Sequence, residues 1–235
     1  MELRDPIHGT IDISREELAV IDSIAFQRLR AIKQLGFSEF SFPGATHNRM
    51  IHSIGVSHLA GRVFDQIFSR FEFPNAATRQ RLRQTLKLAA LLHDIGHGPL
   101  SHTTEEVMPD LKDLNVEVYQ QKRSDLILVE SHYTLERQAN HEDYTIKFIT
   151  DSSLTKILRQ VCNDIEPIHI ACLIDKTLIC PDDFFIVGDV NCRALLSQIV
   201  SSELDCDRMD YLERDAYFCG TNYGRVELMW LISNL

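Results

Sequence analysis

Apolar residues recur along most of this chain at helical spacing. Ser14 followed by Glu17 reads as a capping box, and behind it Leu18, Ile21, Ile24, Ala25 and Leu29 mark one helix face up to a stop at Gly36. Pro43-Gly44 reads as a loop. Ile51, Ile54, Val56, Leu59, Val63, Ile67 and Phe68 predict a helix from Asn48 to about Phe71. After Pro74 a further helix is predicted from about Asn75 to Asp94, with Leu82, Leu86, Ala89, Ala90 and Leu92 on one broad face; Gly96, Gly98 and Pro99 break it. Residues 103–140 show no clear period, and the short apolar run Leu126–Val129 reads as a strand or a lid element. Helices are predicted again over 141–150, 152–162, 165–175, 191–203, 207–217 and 224–234, with a loop over 177–190. No internal repeat or clear linker interrupts the pattern. The expectation is an all-α helical bundle, residues 1–235 forming a single domain.

Composition narrows the functional classes. The chain has 235 residues, 44% hydrophobic and 25% charged, enough for one good-sized core and outside the disordered range. No run of 18 apolar residues predicts a membrane span. The start MELRDPIHG lacks the apolar region of a secretory signal, so a cytoplasmic protein with reduced cysteines is expected. A net charge of −10 disfavours non-specific binding to long nucleic acid, while leaving room for a local basic pocket that takes an anionic substrate.

The chemistry concentrates in three segments. Directly after an apolar helix, His93-Asp94-Ile95-Gly96-His97-Gly98-Pro99-Leu100-Ser101-His102 brings three histidines and an aspartate within ten positions. Helix neighbours do not share a face, so His93 and Asp94 reach one metal only at a helix end, which the glycines and proline supply. Imidazole with carboxylate is a ligand set for Zn, Mn, Fe, Co or Ni. Second, Arg49 and His52 stand at i, i+3 on one helix face, pairing a ligand with a guanidinium suited to phosphate. Third, Asp207, Tyr211 and Asp215 recur at i, i+4, i+8, presenting two carboxylates and a phenol on one face. Elsewhere, His8 reads as part of a turn between Pro6 and Gly9, and His58 as a helix residue. His132 and His169 have no evident partners. Trp230 reads as packing of the last helix or as an exposed patch.

Five strings together carry a resemblance. Asp5-Pro6-Ile7-His8-Gly9, the stretch Phe26–Gly36, Phe42-Pro43-Gly44-Ala45 through His52-Ser53, His93–His102 and Asp205–Asp215 span about residues 3 to 224. In these the chain resembles the HD-domain phosphohydrolases, and within them the deoxynucleoside triphosphate triphosphohydrolases. The resemblance implies an HD-domain helical bundle with a divalent metal ion (Mn, Fe, Mg, Zn, Ni or Co) held by His52, His93, Asp94 and Asp207. It implies phosphate contacts from Arg49 and Arg208, a sugar 3′-hydroxyl held by Gln34 and Asp215, and Tyr211 packed against the sugar. His97, His102 and His141 would line the reaction centre, with His102 the first choice of general acid and Glu142 orienting His141. Relatives place an Asp just after the position of His102; here Glu105 is the candidate substitute, with a longer side chain. The implied reaction splits a deoxynucleoside triphosphate into deoxynucleoside and triphosphate, in a homo-oligomer. The alternatives are a phosphodiesterase or nuclease on the same centre, and a non-catalytic nucleotide-sensing domain. Members of this family continue past the position of Leu235 with a basic, aromatic segment that completes the nucleotide pocket. The resemblance therefore implies either a short member or part of a longer protein.

Overall fold

A computed structural model describes residues 1–119 and 136–235. The Leu126–Val129 run and His132 lie outside the described residues. The chain opens with an antiparallel hairpin, β1 (Glu2–Asp5) and β2 (Gly9–Asp12), in which Asp5 faces Gly9 across the turn. The helices follow as α1 (Arg15–Ile21), α2 (Ile24–Gln27), α3 (Arg49–Ile67), α4 (Ala76–Leu92), α5 (Leu111–Leu114), α6 (His141–Thr150), α7 (Ser153–Val161), α8 (Pro167–Ile174), α9 (Arg193–Val200), α10 (Cys206–Cys219) and α11 (Leu228–Ser233). A two-residue hairpin, β3 (Ile186–Val187) and β4 (Val190–Asn191), sits in the stretch expected to be a loop.

Most helix starts are written in the sequence as side-chain caps. Ser14 and Glu17 form the expected capping box, and Asn48, Asn75 and Asp205 accept from backbone N–H groups in the first turns of α3, α4 and α10. The expected single helix through Leu29 is instead split. The Ser23 hydroxyl donates to the Val20 carbonyl and accepts from the Phe26 N–H, which closes α1 and starts α2.

Helix α3 is the axle of the bundle, packed between α4 and α10. Its small residues permit this. A Cβ on Gly55 would stand 2.0 Å from Asp210 Oδ1 of α10, and one on Gly61 would stand 3.1 Å from the Arg83 and Lys87 side chains of α4. Leu59, Phe64, Leu86, Leu88, Leu92 and Ile170 fill the core around it. Trp230 of α11 is 67% exposed while Ile232 faces inward, so the last helix packs through isoleucine rather than tryptophan. No helix among the described residues is long and apolar enough to cross a membrane.

Candidate metal centre and histidine cluster

Helix α4 ends at Leu92, and the chain tightens immediately into a turn carrying His93, Asp94 and His97. The N–H of Ile95 donates to the Leu92 carbonyl at 3.1 Å, and that of His97 to the Asp94 carbonyl at 3.1 Å. Arg28 clamps the turn from outside, donating to the carbonyls of His97 and Ile95. Gly96 is needed for contact rather than for backbone freedom, since its φ is not positive. A Cβ there would lie 1.9 Å from the His141 carbonyl oxygen on α6. The Thr145 hydroxyl stitches the same junction, donating to the His93 carbonyl and accepting from the Gly96 N–H, both at 3.0 Å.

Three elements then converge. His52 comes from α3, His93 and Asp94 from the turn, and Asp207 from the first turn of α10. His52, His93 and Asp207 each offer a ligand atom within 4.8 Å of the others. Asp207 Oδ1 lies 2.9 Å from His52 Nε2 and 3.5 Å from His93 Nε2. The Asp94 carboxylate lies 3.4 Å from His93 Nε2 and 3.7 Å from His52 Nε2. Ligand atoms at about 2.0–2.2 Å from one small divalent ion stand about 3.0–3.5 Å apart, so the spacing fits a shared cation.

The protonation pattern fits as well. His93 Nδ1–H donates to the Ala90 carbonyl at 2.8 Å, and His52 Nδ1–H donates to Asp210 Oδ2 at 2.8 Å. Both Nε2 atoms are buried and face carboxylate oxygens without an aligned hydrogen bond, an arrangement that costs free energy unless a cation or a proton sits between them. Burial opposes charge on His52, but Asp207 and Asp210 outweigh it and raise its pKa to about 10. The cluster thus attracts positive charge. Burial would raise the Asp94 pKa, yet His93, Arg49 and His97 hold it well below the usual carboxylate range. Burial likewise opposes ionisation of Asp207, and His52 and His93 hold its carboxyl low.

A second group adjoins the first. His97 stacks on His141 with ring centres 3.9 Å apart, and its Nε2 lies 3.4 Å from Asp94 Oδ1. Glu105 Oε1 accepts from His141 Nδ1–H at 2.5 Å and from His102 Nδ1–H at 3.0 Å. His97, His102, Glu105 and His141 also bring ligand atoms within 4.8 Å of one another. Burial drives the His97 pKa down to about 4 and keeps that ring neutral. Burial works against ionised Glu105, but His141 and His102 hold its pKa below the ordinary value. The longer side chain of Glu105 therefore reaches both rings. The expectation that Glu142 orients His141 is corrected: Glu142 is exposed and lines a different cavity, with Arg137 and Lys176. Glu142 directly follows His141 on α6, and neighbouring helix residues do not share a face.

The residues assigned to substrate divide. Arg49 is buried and committed, donating to Asp94 at 2.5 Å and to the Ser101 hydroxyl at 3.0 Å. Ser101 sits at φ 55 and donates in turn to the Lys33 carbonyl. Asp215 accepts from His47 Nε2–H at 2.7 Å, and the Gln34 N–H donates to the His47 carbonyl, so His47 joins Gln34 to Asp215. The Gln34 Oε1 is buried without a partner. Tyr211 is half-buried on α10. Arg208 is exposed and loosely paired with Glu203 at 3.4 Å, outside the buried clusters.

Sequence reasoning missed Asp210, Arg214 and Ser101. Asp210 is fully buried and accepts from His52, His8 and Arg214; burial opposes its charge, and Arg214, His52 and His8 hold its pKa far down. The signal was available in the position of Asp210, one helical turn beyond Asp207 on the same segment. His8 does lie in the hairpin turn as expected, but it also donates to Asp210 at 2.5 Å. His169 is not partnerless: its ring bonds Asp182 and accepts from the Glu166 N–H.

Comparison with known proteins places this geometry. Residues 49–215 match the HD domain family. The chain is 34% identical over 99% of its length to an uncharacterised protein of Mycoplasma genitalium, covering 47% of that protein. It is 31% identical over 93% of its length to the deoxynucleoside triphosphate triphosphohydrolase SAMHD1 homolog of Dictyostelium discoideum, covering 36% of it. A crystal structure of a hypothetical protein from Aquifex aeolicus superposes with a TM-score of 0.70 at 33% identity, covering 99% of this chain and 50% of that one. The chain thus spans half or less of the length of these relatives.

Proposed function

Because the chain belongs to the HD-domain family of phosphohydrolases, we propose that it hydrolyses deoxynucleoside triphosphates to deoxynucleoside and triphosphate with a divalent cation held by His52, His93, Asp94 and Asp207. The observation that carries this reading is the pair of buried Nε2 atoms of His52 and His93, without aligned hydrogen bonds and facing two carboxylates, beside a second histidine group. The similarity to the Dictyostelium triphosphohydrolase supports the choice of substrate.

When bound, the cation supplies a Lewis acid that lowers the pKa of water towards about 7 and polarises a phosphoryl oxygen. The protein does the rest. Arg49, held by Asp94 and Ser101, sets a fixed guanidinium charge beside the centre, and the loosely paired Arg208 is free to swing towards the phosphates. Asp215, anchored by His47, and Gln34, with its unpartnered carbonyl oxygen, hold the sugar 3′-hydroxyl, and Tyr211 packs beside the sugar. The leaving 5′-oxygen takes a proton from His102, whose side chain is 70% exposed and reachable, whereas that of His97 is 1% exposed and faces Asp94. Glu105 keeps the His102 and His141 rings oriented through their Nδ1–H groups. The enzyme acts as a homo-oligomer in the cytoplasm.

The test is product analysis. With Mn²⁺ the purified protein releases inorganic triphosphate from a deoxynucleoside triphosphate, and the double variant His93→Ala/Asp94→Ala does not. Pyrophosphate with a nucleoside monophosphate would reject the cleavage position. Turnover of cyclic dinucleotides or single-stranded DNA in place of the triphosphates would reject the substrate.

A further inference from the structure

The Asp210 carboxylate is buried completely, yet it accepts four hydrogen bonds. Its Oδ2 accepts from His52 Nδ1 at 2.8 Å and from Arg214 Nε at 2.7 Å; its Oδ1 accepts from Arg214 Nη2 at 2.8 Å and from His8 Nε2 at 2.5 Å. Arg214, also fully buried, donates its remaining nitrogen to Asp5 Oδ2 at 2.9 Å. Asp5 Oδ1 in turn accepts from the backbone N–H groups of Ile7 and His8, both at 2.9 Å, which shapes the hairpin turn that aims His8. The pair has room only because α3 carries Gly55, where a Cβ would stand 2.0 Å from Asp210 and 2.5 Å from Arg214. The N-terminal hairpin, 202 positions from Asp210 in sequence, thereby reaches the ligand His52 through two hydrogen bonds.

The two carboxylates flank His52 on opposite ring nitrogens. Asp210 lies at Nδ1 and Asp207 at 2.9 Å from Nε2. The bond to Asp210 fixes the orientation of the ring and with it where Nε2 points, the part an outer partner plays for a metal-bound histidine. We propose that the N-terminal hairpin is part of the cation centre: His8 is a positioning residue that holds the Asp210 carboxylate against His52 and so aims His52 Nε2 at the ion. The inference rests on the reading that His52 ligates a cation.

The test measures Mn²⁺ affinity of the full chain by calorimetry, with the fold of each variant checked by circular dichroism. His8→Ala weakens Mn²⁺ binding by about tenfold to a hundredfold, the size usual for loss of an outer partner of a metal-bound histidine. His8→Gln, whose amide N–H can reach the same carboxylate oxygen, restores binding to within a few-fold. Unchanged affinity in a folded His8→Ala protein overturns the inference, and so does loss of binding in a folded His8→Gln protein, which keeps the test informative where His8→Ala fails to fold. Asp207→Ala separates the two levels: it abolishes binding whatever stands at position 8. Mn²⁺ bound as tightly by Asp207→Ala as by the parent overturns the metal-centre reading and this inference with it.

Discussion

Two histidine groups stand side by side in this protein, and they are finished differently. Around His52, His93, Asp94 and Asp207, each imidazole spends its Nδ1–H on an internal acceptor, and the chain of partners runs inward to Asp210, Arg214 and Asp5. Around His97, His102 and His141, one carboxylate, Glu105, is shared between two rings, and the outermost ring is largely exposed. The first group has a deep, saturated support that fixes orientation and charge. The second has a thin support and open access. Fixed support suits holding an ion; rings oriented by one shared carboxylate, the outermost of them exposed, suit proton transfer to a bound substrate.

The comparison breaks most sharply at Asp207. Asp207→Ala removes both cation binding and triphosphate release below detection, read by metal content and product assay, whereas Glu105→Gln retains the cation with parental affinity. A supporting role shared by both groups would make the two variants alike. Next in size is Asp210→Ala, which leaves Arg214 buried with half its partners. Breaking a buried pair in this way costs about 3–5 kcal/mol, read by chemical denaturation of the metal-free protein. Glu105→Gln itself lowers turnover by about a hundredfold, within the usual contribution of an oriented acid–base group, and changes the pH–rate profile while stability stays near parental.

The smallest effect concerns a histidine outside both groups. Burial first, then the charges of His8, Arg62 and Lys87, against a small pull from Asp5, push the His58 pKa down to about 4. The unfolded chain, with the ordinary value of 6.5, binds the extra proton more readily than the folded one. Stability is therefore complete above about pH 6.5 and falls as pH drops towards 4. In His58→Gln the decline of the melting temperature over that window is shallower, as a thermal scan at several pH values would read.

Much of the site was legible because ligand chemistry leaves a local mark. His93-Asp94 at a glycine-broken helix end, and Arg49 with His52 one turn apart, name their own candidates, and the structure brings His52 and His93 to Asp207 and Arg49 to Asp94. The misreadings have two causes. The family resemblance implies Glu142 as the partner of His141, but adjacent helix residues face apart, and the carboxylate that reaches His141 comes from position 105. The helix through Leu29 was read as continuous because a periodic apolar face does not show that Ser23 will compete for the backbone.

The order of the helices, their caps and the residue types of the metal centre were set by the sequence itself, because periodicity, capping and ligand identity act over a few positions. Which carboxylate serves which histidine was decided by the tertiary structure. Asp210 on His52, Glu105 on His141 and His8 on Asp210 pair residues 158, 36 and 202 positions apart. Such pairings form only where packing brings helices together, and here two glycines, Gly55 and Gly96, let the backbones come close enough.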